Sequence, residues 1–299
     1  MGNVLTKSQV DFYKENGFLV VEKLVNAGVV AQARAVVDSL LSSPSISEVA
    51  EVEPGYDAKA RRIWAPTSRD KIFAGMAEDP QVLDATAQLI GEDIVLQYSK
   101  LNVKPPEVGS VVEWHQDFAY YPHTNTDLVA CLIYLDDATR ENSCLRVAAG
   151  SHRRGILSHE VGGHFGGKIT SLDQVGVDDS TVVDCEGPAG TAVFIHPLAA
   201  HSSEKNTSDR YRRVFIPAYR AADAFPIYYG PHAAHNEPTA KLVHGKPARM
   251  ARCEGGVWQL PLAAAEFNSL YQIQEGSHLE SDGKNKTGYF AHEAESATA

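Results

Sequence analysis

His115 and Asp117 are separated by one residue at the end of a strand-like run. Because side chains two positions apart in a strand point to the same face, this imidazole and this carboxylate can reach one point in space. His201 lies beyond a later strand-like run and supplies another imidazole. Two histidines and one carboxylate form the facial triad that holds a non-haem iron and leaves three coordination positions open. The pattern therefore predicts an iron site of this kind.

The second imidazole has two candidates, because His196 and His201 both follow the strand-like run 190–195. His196 can face a barrel interior, but it can equally be a hydrogen-bonded core residue. Arg212 lies on the next strand, where its guanidinium can bind a dicarboxylate in bidentate fashion. Arg213 competes with Arg212, and because adjacent strand residues face opposite ways, only one of them can point inward. His-x-Asp alone is a weak signal, since it also occurs on solvated strands.

Three helices are predicted in the first third of the chain. The segment 6–9 reads Thr-Lys-Ser-Gln, the capping-box pattern that starts a helix. Apolar residues at a period near 3.6 predict further helices over about 27–41 and 80–90. The segment 18–21 is apolar and β-branched, which predicts a buried strand. Residues 46–70 are polar and are predicted to be irregular.

Seven strand-like runs separated by Gly, Pro, Asn and Asp follow. They cover 94–103, 109–115, 128–135, 143–148, 181–185, 190–195 and 213–219. Such a series after helices predicts a mainly β fold, either a sandwich or a jelly roll, with α-helices packed outside. We interpret residues 1–275 as one domain with a helical N-terminal part (1–91), a jelly-roll core (92–220) and a C-terminal covering segment (221–275). Residues 276–299 are poor in apolar side chains and are predicted to be a flexible tail.

Composition excludes several classes of function. The 299 residues include 27 Lys and Arg against 38 Asp and Glu, a formal net charge of −11. This acidic balance, without a Lys/Arg block, argues against nucleic acid or an anionic membrane as partner. No apolar run approaches the roughly 18 residues of a membrane span, and no signal-peptide pattern is seen. Four widely spaced cysteines favour a reducing compartment, so we expect a cytoplasmic protein that acts on a small molecule.

Five separated motifs occur in order along the chain: His115-Gln116-Asp117; Tyr120, Pro122 and Asp127; the run 142–152 with sequence NSCLRVAAGSH; His201; and Arg212. Together they resemble the phytanoyl-CoA dioxygenase family of Fe(II)/2-oxoglutarate enzymes. The residues Leu5-Thr6, Gln9, Phe12 and Gly17-Phe18, and the turn Lys104-Pro105-Pro106, are similar to the same family. The resemblance covers about residues 5–220.

The resemblance implies a fold, a set of cofactors and a set of site residues. The fold is a double-stranded β-helix, the cupin-like jelly roll, and the cofactors are Fe(II), 2-oxoglutarate and O2, with ascorbate as an optional stimulant. His115, Asp117 and His201 are implied as the catalytic metal ligands. Arg212, helped by Ser203, is implied as the ligand of the distal carboxylate of 2-oxoglutarate.

Further cosubstrate contacts are expected from Gln97, Lys104 and Arg62. Gln97 and Lys104 lie on the strand before the metal strand, where they can line the pocket or a solvated edge. Arg62 corresponds loosely to a lysine of many relatives. Lys100 and Ile133 stand where some relatives have a methionine and a tryptophan in contact with the cosubstrate.

Two aromatic groups are expected near the active site. Tyr120, Tyr121 and His123 follow the metal strand, where they can line the pocket or simply pack. Tyr228 and Tyr229 begin the covering segment and are expected to lie over the site.

The expected function is a dioxygenase that hydroxylates an aliphatic C–H of a small metabolite, with succinate and CO2 as co-products. Asp117 favours hydroxylation, because a related halogenase subclass lacks this carboxylate so that chloride can bind. An acyl-CoA thioester is an alternative substrate, although no Lys/Arg cluster suggests a site for the CoA 3′-phosphate. Two other functions stay open: a non-redox jelly-roll metalloprotein, such as an isomerase or hydrolase, and a non-catalytic binding protein.

Overall fold

The computed structural model describes residues 3–43, 46, 50–53, 55, 59–162, 164–171, 180–227 and 240–254, and all α-helices among them lie before Ile94. The helices are α1 Lys7–Asn16, α2 Ala27–Leu41, α3 Pro66–Arg69, α4 Lys71–Ala77 and α5 Pro80–Ile90. None of these helices is long and apolar enough to cross a membrane. The strands are β1 Phe18–Val21, β2 Ala50–Val52, β3 Ala60–Trp64, β4 Ile94–Lys104, β5 Val112–His115, β6 Leu128–Tyr134, β7 Leu145–Ala148, β8 Glu160–Val161, β9 His164–Phe165, β10 Val182–Cys185, β11 Ala192–Ile195, β12 His201–Ser203, β13 Arg212–Ala221 and β14 Lys241–His244. The expected tail 276–299, and Tyr228 and Tyr229, lie outside the described residues.

Local sequence signals start and end the helices as predicted. The Thr6 hydroxyl accepts a hydrogen bond from the backbone of Gln9, whose side chain bonds back to the Thr6 backbone. Gly17 ends α1 in the left-handed conformation, which a glycine adopts without steric cost. Asn26 and Asp79 accept hydrogen bonds from backbone N–H groups in the first turns of α2 and α5. The capping box and the three predicted helices are confirmed.

The strands form two main antiparallel sheets. The larger sheet has the order β1-β11-β6-β13-β4-β3-β2, with β14 also paired to β4. The smaller sheet has the order β10-β7-β12-β5. Neighbouring strands are distant in sequence, as in the pairs β11–β6 and β12–β5. This crossed order is that of the predicted jelly roll, and the helices lie outside it.

Alternate residues of the larger sheet face two different layers. In β6, Val129, Cys131 and Ile133 pack with the helices, whereas Ala130 and Leu132 pack between the two sheets. The period of two in a strand produces this division. The inward-facing half of each central strand is therefore available to line a space between the sheets.

The prediction that residues 46–70 are irregular is wrong. β2 and β3 form a hairpin at the edge of the larger sheet, and Arg62 of β3 lies opposite Asn102 of β4. Arg61, Arg62 and Glu53 are each at most 5% exposed. Their charges made the segment look solvated, because a hydrophobic pattern cannot distinguish a charge that faces water from one that faces a buried partner. The part of the chain before the jelly-roll core is therefore not purely helical.

Phe215 joins the larger sheet to the helical layer. Its side chain is fully buried, and its ring centroid lies 5.1 Å from that of Phe73 in α4. We expect Phe215→Ala to lower the free energy of unfolding by about 3–5 kcal/mol, because it leaves a cavity between packed layers. Urea denaturation measures this change. Met250→Ala, at a position 82% exposed, is the control and is expected to stay within about 0.5 kcal/mol of the parent; equal midpoints for the two variants would contradict the assignment.

Candidate metal centre

The pairing of β12 with β5 brings two histidines together. His201, the first residue of β12, lies directly opposite His115, the last residue of β5. Their ring centroids are 4.2 Å apart. Asp117 does not lie on the strand as expected, because β5 ends at His115 and Asp117 starts a 3₁₀ turn that ends at Ala119. The turn still directs the carboxylate towards both imidazoles.

The three side chains converge on one buried point. The distance from Asp117 Oδ1 is 3.8 Å to His115 Nε2 and 3.9 Å to His201 Nε2. All three ligand atoms lie within 4.8 Å of one another, and each residue is at most 7% exposed. Within the described ranges, no other group of three His, Cys, Asp or Glu side chains converges in this way.

Backbone carbonyls fix the orientation of both imidazoles. His115 Nδ1 lies 2.8 Å from the carbonyl oxygen of Glu113, and His201 Nδ1 lies 2.9 Å from that of Ala199. Each Nδ1–H donates to its carbonyl, which leaves Nε2 with a lone pair directed at the common point. This donor set, two Nε2 atoms and one carboxylate oxygen, fits a divalent transition metal with open positions.

The electrostatics of the cluster favour the forms that ligate a metal. Burial raises the pKa of Asp117, but Lys100 and the two imidazoles outweigh burial and bring the pKa to about 2. Burial is also the largest cause that lowers the pKa of His115 well below its ordinary value, and the adjacent His201 adds to it. Asp117 is therefore a carboxylate and His115 a neutral imidazole, as metal binding requires.

Two tyrosines support the carboxylate. Tyr121 makes a side-chain hydrogen bond to Asp117, and its hydroxyl lies 3.0 Å from that of Tyr98. Because a carboxylate only accepts, Tyr121 donates to Asp117 and Tyr98 donates to Tyr121. The sequence left open whether this aromatic segment lines the pocket or simply packs. Tyr121 does more than pack, because its hydroxyl has a polar role beside the metal centre.

A cavity of about 490 Å³, counting its open mouth, extends from the cluster between the two sheets. Of the residues predicted to bind the cosubstrate, Arg212, Ser203 and Arg62 line it. The remaining lining residues are Lys100, Asn102, Val112, His115, Asp117, Ala130, Leu132, Leu145, His201, Ser202 and Ile216. The cavity therefore joins the candidate metal ligands to buried cations.

The two arginines at the start of β13 face opposite ways. Arg212 lines the cavity, whereas Arg213 bonds to Asp136 at 2.6 Å and to Asp38 of α2. His196 also lies away from the cluster, since its ring packs near those of His152 and Tyr13. The sequence alone left two choices open, Arg212 or Arg213 and His196 or His201. The structure places Arg212 and His201 at the cavity.

Gln97 and Lys104 are not among the residues that line the cavity. Both are buried, so the alternative of a solvated edge is wrong. Gln97 is the additional residue of a β-bulge, where the register between β4 and β13 shifts. The Lys104 amino group donates to Ser143 Oγ at 2.8 Å and to the carbonyls of Ser203 and Glu204. Lys104 therefore holds the chain that follows β12 in place.

Sequence reasoning missed Asn102 as a cavity residue. Its side chain accepts a hydrogen bond from Arg62 Nε at 3.2 Å. The signal was available, because Lys100, Asn102 and Lys104 share one face of β4 by their spacing of two.

Comparison with known proteins decides the family of the chain. A sequence model of the phytanoyl-CoA dioxygenase (PhyH) family matches residues 13–214. The chain belongs to the phytanoyl-CoA dioxygenase family. The match includes His115, Asp117, His201 and Arg212.

Relatives within and around this family have related activities. A probable alpha-ketoglutarate-dependent hypophosphite dioxygenase of Stutzerimonas stutzeri is 30% identical over 225 residues, 72% of this chain and 78% of the relative. An L-proline trans-4-hydroxylase of Streptomyces griseoviridis is 32% identical over 178 residues, 53% of this chain and 66% of the relative. The crystal structure of EctD from S. alaskensis with bound Fe has a TM-score of 0.67 at 22% identity, over 82% of this chain and 88% of that chain. The structural likeness confirms the jelly-roll fold. The family match and the sequence relatives show that this member of the phytanoyl-CoA dioxygenase family is a 2-oxoglutarate-dependent dioxygenase.

Tyr121→Phe tests whether the tyrosine pair orients the carboxylate. The variant keeps the ring but removes the hydrogen bond to Asp117, so we expect metal affinity to fall about 10- to 100-fold. Anaerobic titration with Fe(II) or Co(II) measures this affinity. Tyr134→Phe is the matched control, because Tyr134 is also buried but its hydroxyl donates to the carbonyl of Cys185 at 2.7 Å. Equal metal affinities in the two variants would refute the orienting role.

Proposed function

We propose that this protein is an Fe(II)- and 2-oxoglutarate-dependent hydroxylase that inserts oxygen into an aliphatic C–H of a small metabolite. The observation that carries the proposal is the convergence of His115, Asp117 and His201 on one buried point, in the same cavity as the Arg212 guanidinium. In the balanced reaction, substrate, 2-oxoglutarate and O2 give hydroxylated substrate, succinate and CO2.

The triad residues are proposed to hold the iron through His115 Nε2, His201 Nε2 and a carboxylate oxygen of Asp117. When bound, Fe(II) with 2-oxoglutarate supplies the oxidising power that converts O2 and a C–H bond into an alcohol. Ascorbate is proposed only as an optional reductant that keeps the iron in its Fe(II) form. The protein contributes fixed ligands and a cavity that limits access of water.

Arg212 is proposed to bind the distal carboxylate of 2-oxoglutarate. The residue is 5% exposed, and a buried guanidinium binds a carboxylate with two charge-assisted hydrogen bonds. Ser203, which also lines the cavity, adds a hydroxyl donor. Val112, Leu132 and Ile216 form apolar walls, which strengthen these polar contacts by excluding water.

A small metabolite is the proposed substrate class. Two relatives carry the names of small substrates, hypophosphite and L-proline. An acyl-CoA thioester remains the alternative substrate, and a cytoplasmic location stays a prediction of the sequence.

An anaerobic titration tests the metal centre directly. Addition of 2-oxoglutarate to the Fe(II)-loaded protein is expected to produce the weak visible charge-transfer band of the chelate. His201→Ala is expected to abolish the band, because it removes one of three protein ligands. His196→Ala is the control and is expected to keep it, since His196 lies away from the cluster. A folded, metal-loaded protein without the band would refute the proposal.

Arg212→Met tests the cosubstrate site. We expect the KM for 2-oxoglutarate to rise about 10- to 100-fold, because a charge-assisted pair to a buried carboxylate is lost. The assay is succinate formation. Arg213→Met is the matched control, since the adjacent arginine points outward to Asp136, and its KM is expected to match that of the parent.

The same assay separates the other functions. A non-redox isomerase or hydrolase would retain its activity in Arg212→Met, and a non-catalytic binding protein would form no succinate with Fe(II), ascorbate and 2-oxoglutarate. Either result would replace the hydroxylase assignment.

A further inference from the structure

The cavity contains more positive charge than iron and 2-oxoglutarate require. Its charged lining consists of three cations, Arg62, Lys100 and Arg212, and one carboxylate, Asp117. Fe(II) and the dianion of 2-oxoglutarate neutralise each other. Asp117 balances one cation, and Glu51, whose Oε2 lies 4.0 Å from both Arg61 and Arg62, balances at most one more. At least one positive charge therefore remains in a partly dehydrated space.

Lys100 is the cation of the lining that no hydrogen bond or ion pair holds in place. Its amino group makes neither with another residue of the described ranges, and it lies 5.4 Å from the centroid of the Tyr98 ring. The Asp117 carboxylate attracts it electrostatically, but Asp117 is itself a candidate metal ligand. Arg62, in contrast, bonds to Asn102 and lies beside Glu51. A half-buried ammonium that no hydrogen bond holds gains from an anion that enters the cavity.

The position of Lys100 separates it from the site proposed for the distal carboxylate. In β4, Lys104 pairs with Arg212, and Lys100 pairs with Ile216 four residues further along β13. Four residues of strand correspond to about 13 Å between the two pairs. The wall formed by β4 and β13 thus offers two separate positions for an anion, one at Arg212 and one at Lys100. The metal centre faces the space between the sheets.

We propose that Lys100 binds an oxyanion of the primary substrate, so that the substrate of this hydroxylase is a small organic acid. The inference rests on the proposed function, since it takes the Arg212 position as occupied by 2-oxoglutarate. Binding of the acid gives Lys100 a hydrogen-bonded counter-ion and orients the acid relative to the metal centre. A neutral analogue leaves the ammonium without this hydrogen-bonded anion in a space of low polarity, which gives selection against amides and esters.

Calorimetry on the full chain tests the inference without turnover. The protein is loaded with Zn(II) and 2-oxoglutarate under argon, and it is titrated with a panel of amino and hydroxy acids, each paired with its own carboxamide. We expect acids that bind to do so about 10- to 100-fold more tightly than their amides. Lys100→Met is expected to remove this preference, and Lys100→Arg to restore most of it. Lys71→Met, a change at an exposed lysine, is the control and is expected to keep the preference.

The outcomes separate this inference from the proposed function. Normal 2-oxoglutarate binding with equal affinity for acids and amides, or with no acid that binds, would overturn the role of Lys100 alone. So would a Lys100→Met variant that loses affinity for 2-oxoglutarate or for the metal but keeps its preference for acids, since Lys100 would then serve the cosubstrate or Asp117. Failure of the parent to bind 2-oxoglutarate at all would instead refute the proposed function.

Discussion

The register between β12 and β5 is the constraint on which the site depends. His201 lies opposite His115 on one side and opposite Val147 of β7 on the other, so β12 is fixed from both edges. Because the side chains of a strand alternate, a slip of one residue would turn the His201 imidazole to the opposite face. The metal centre therefore forms only when strands that are far apart in sequence pair in the correct register.

The larger sheet meets a second requirement, which is to hold buried cations without losing the fold. Arg212 and Arg213 are neighbours in β13, yet one faces the cavity and the other pairs with carboxylates on the outer face. An unpaired buried charge is costly, so each cation requires a partner in the protein or in a ligand. The polar lining of the cavity is consequently suited to ligands that carry negative charge. The free-energy cost of burying its cations is greatest when the cavity holds water alone.

Much of this organisation was predictable because it depends on short-range patterns. The capping box at Thr6, the three longer helices and the seven strands follow from local spacing, and the spacing of His115 and Asp117 indicated the centre. Long-range pairing was less accessible. β12 is three residues long and was not predicted as a strand, and β3 was hidden by its two arginines. The carboxylate of Asp117 reaches the imidazoles from a turn rather than a strand, which period-two reasoning could not show.

The β2–β3 hairpin precedes the jelly-roll core in sequence but belongs to it in space. It provides the last two strands of the larger sheet, and it inserts the guanidinium of Arg62 into the cavity beside Asn102. A fragment that began at residue 92 would keep the triad yet expose the backbone edge of β4 and the apolar surface under α2, α4 and α5. Boundaries for a minimal catalytic unit, or for grafting the active site onto another scaffold, therefore have to be drawn upstream of the hairpin.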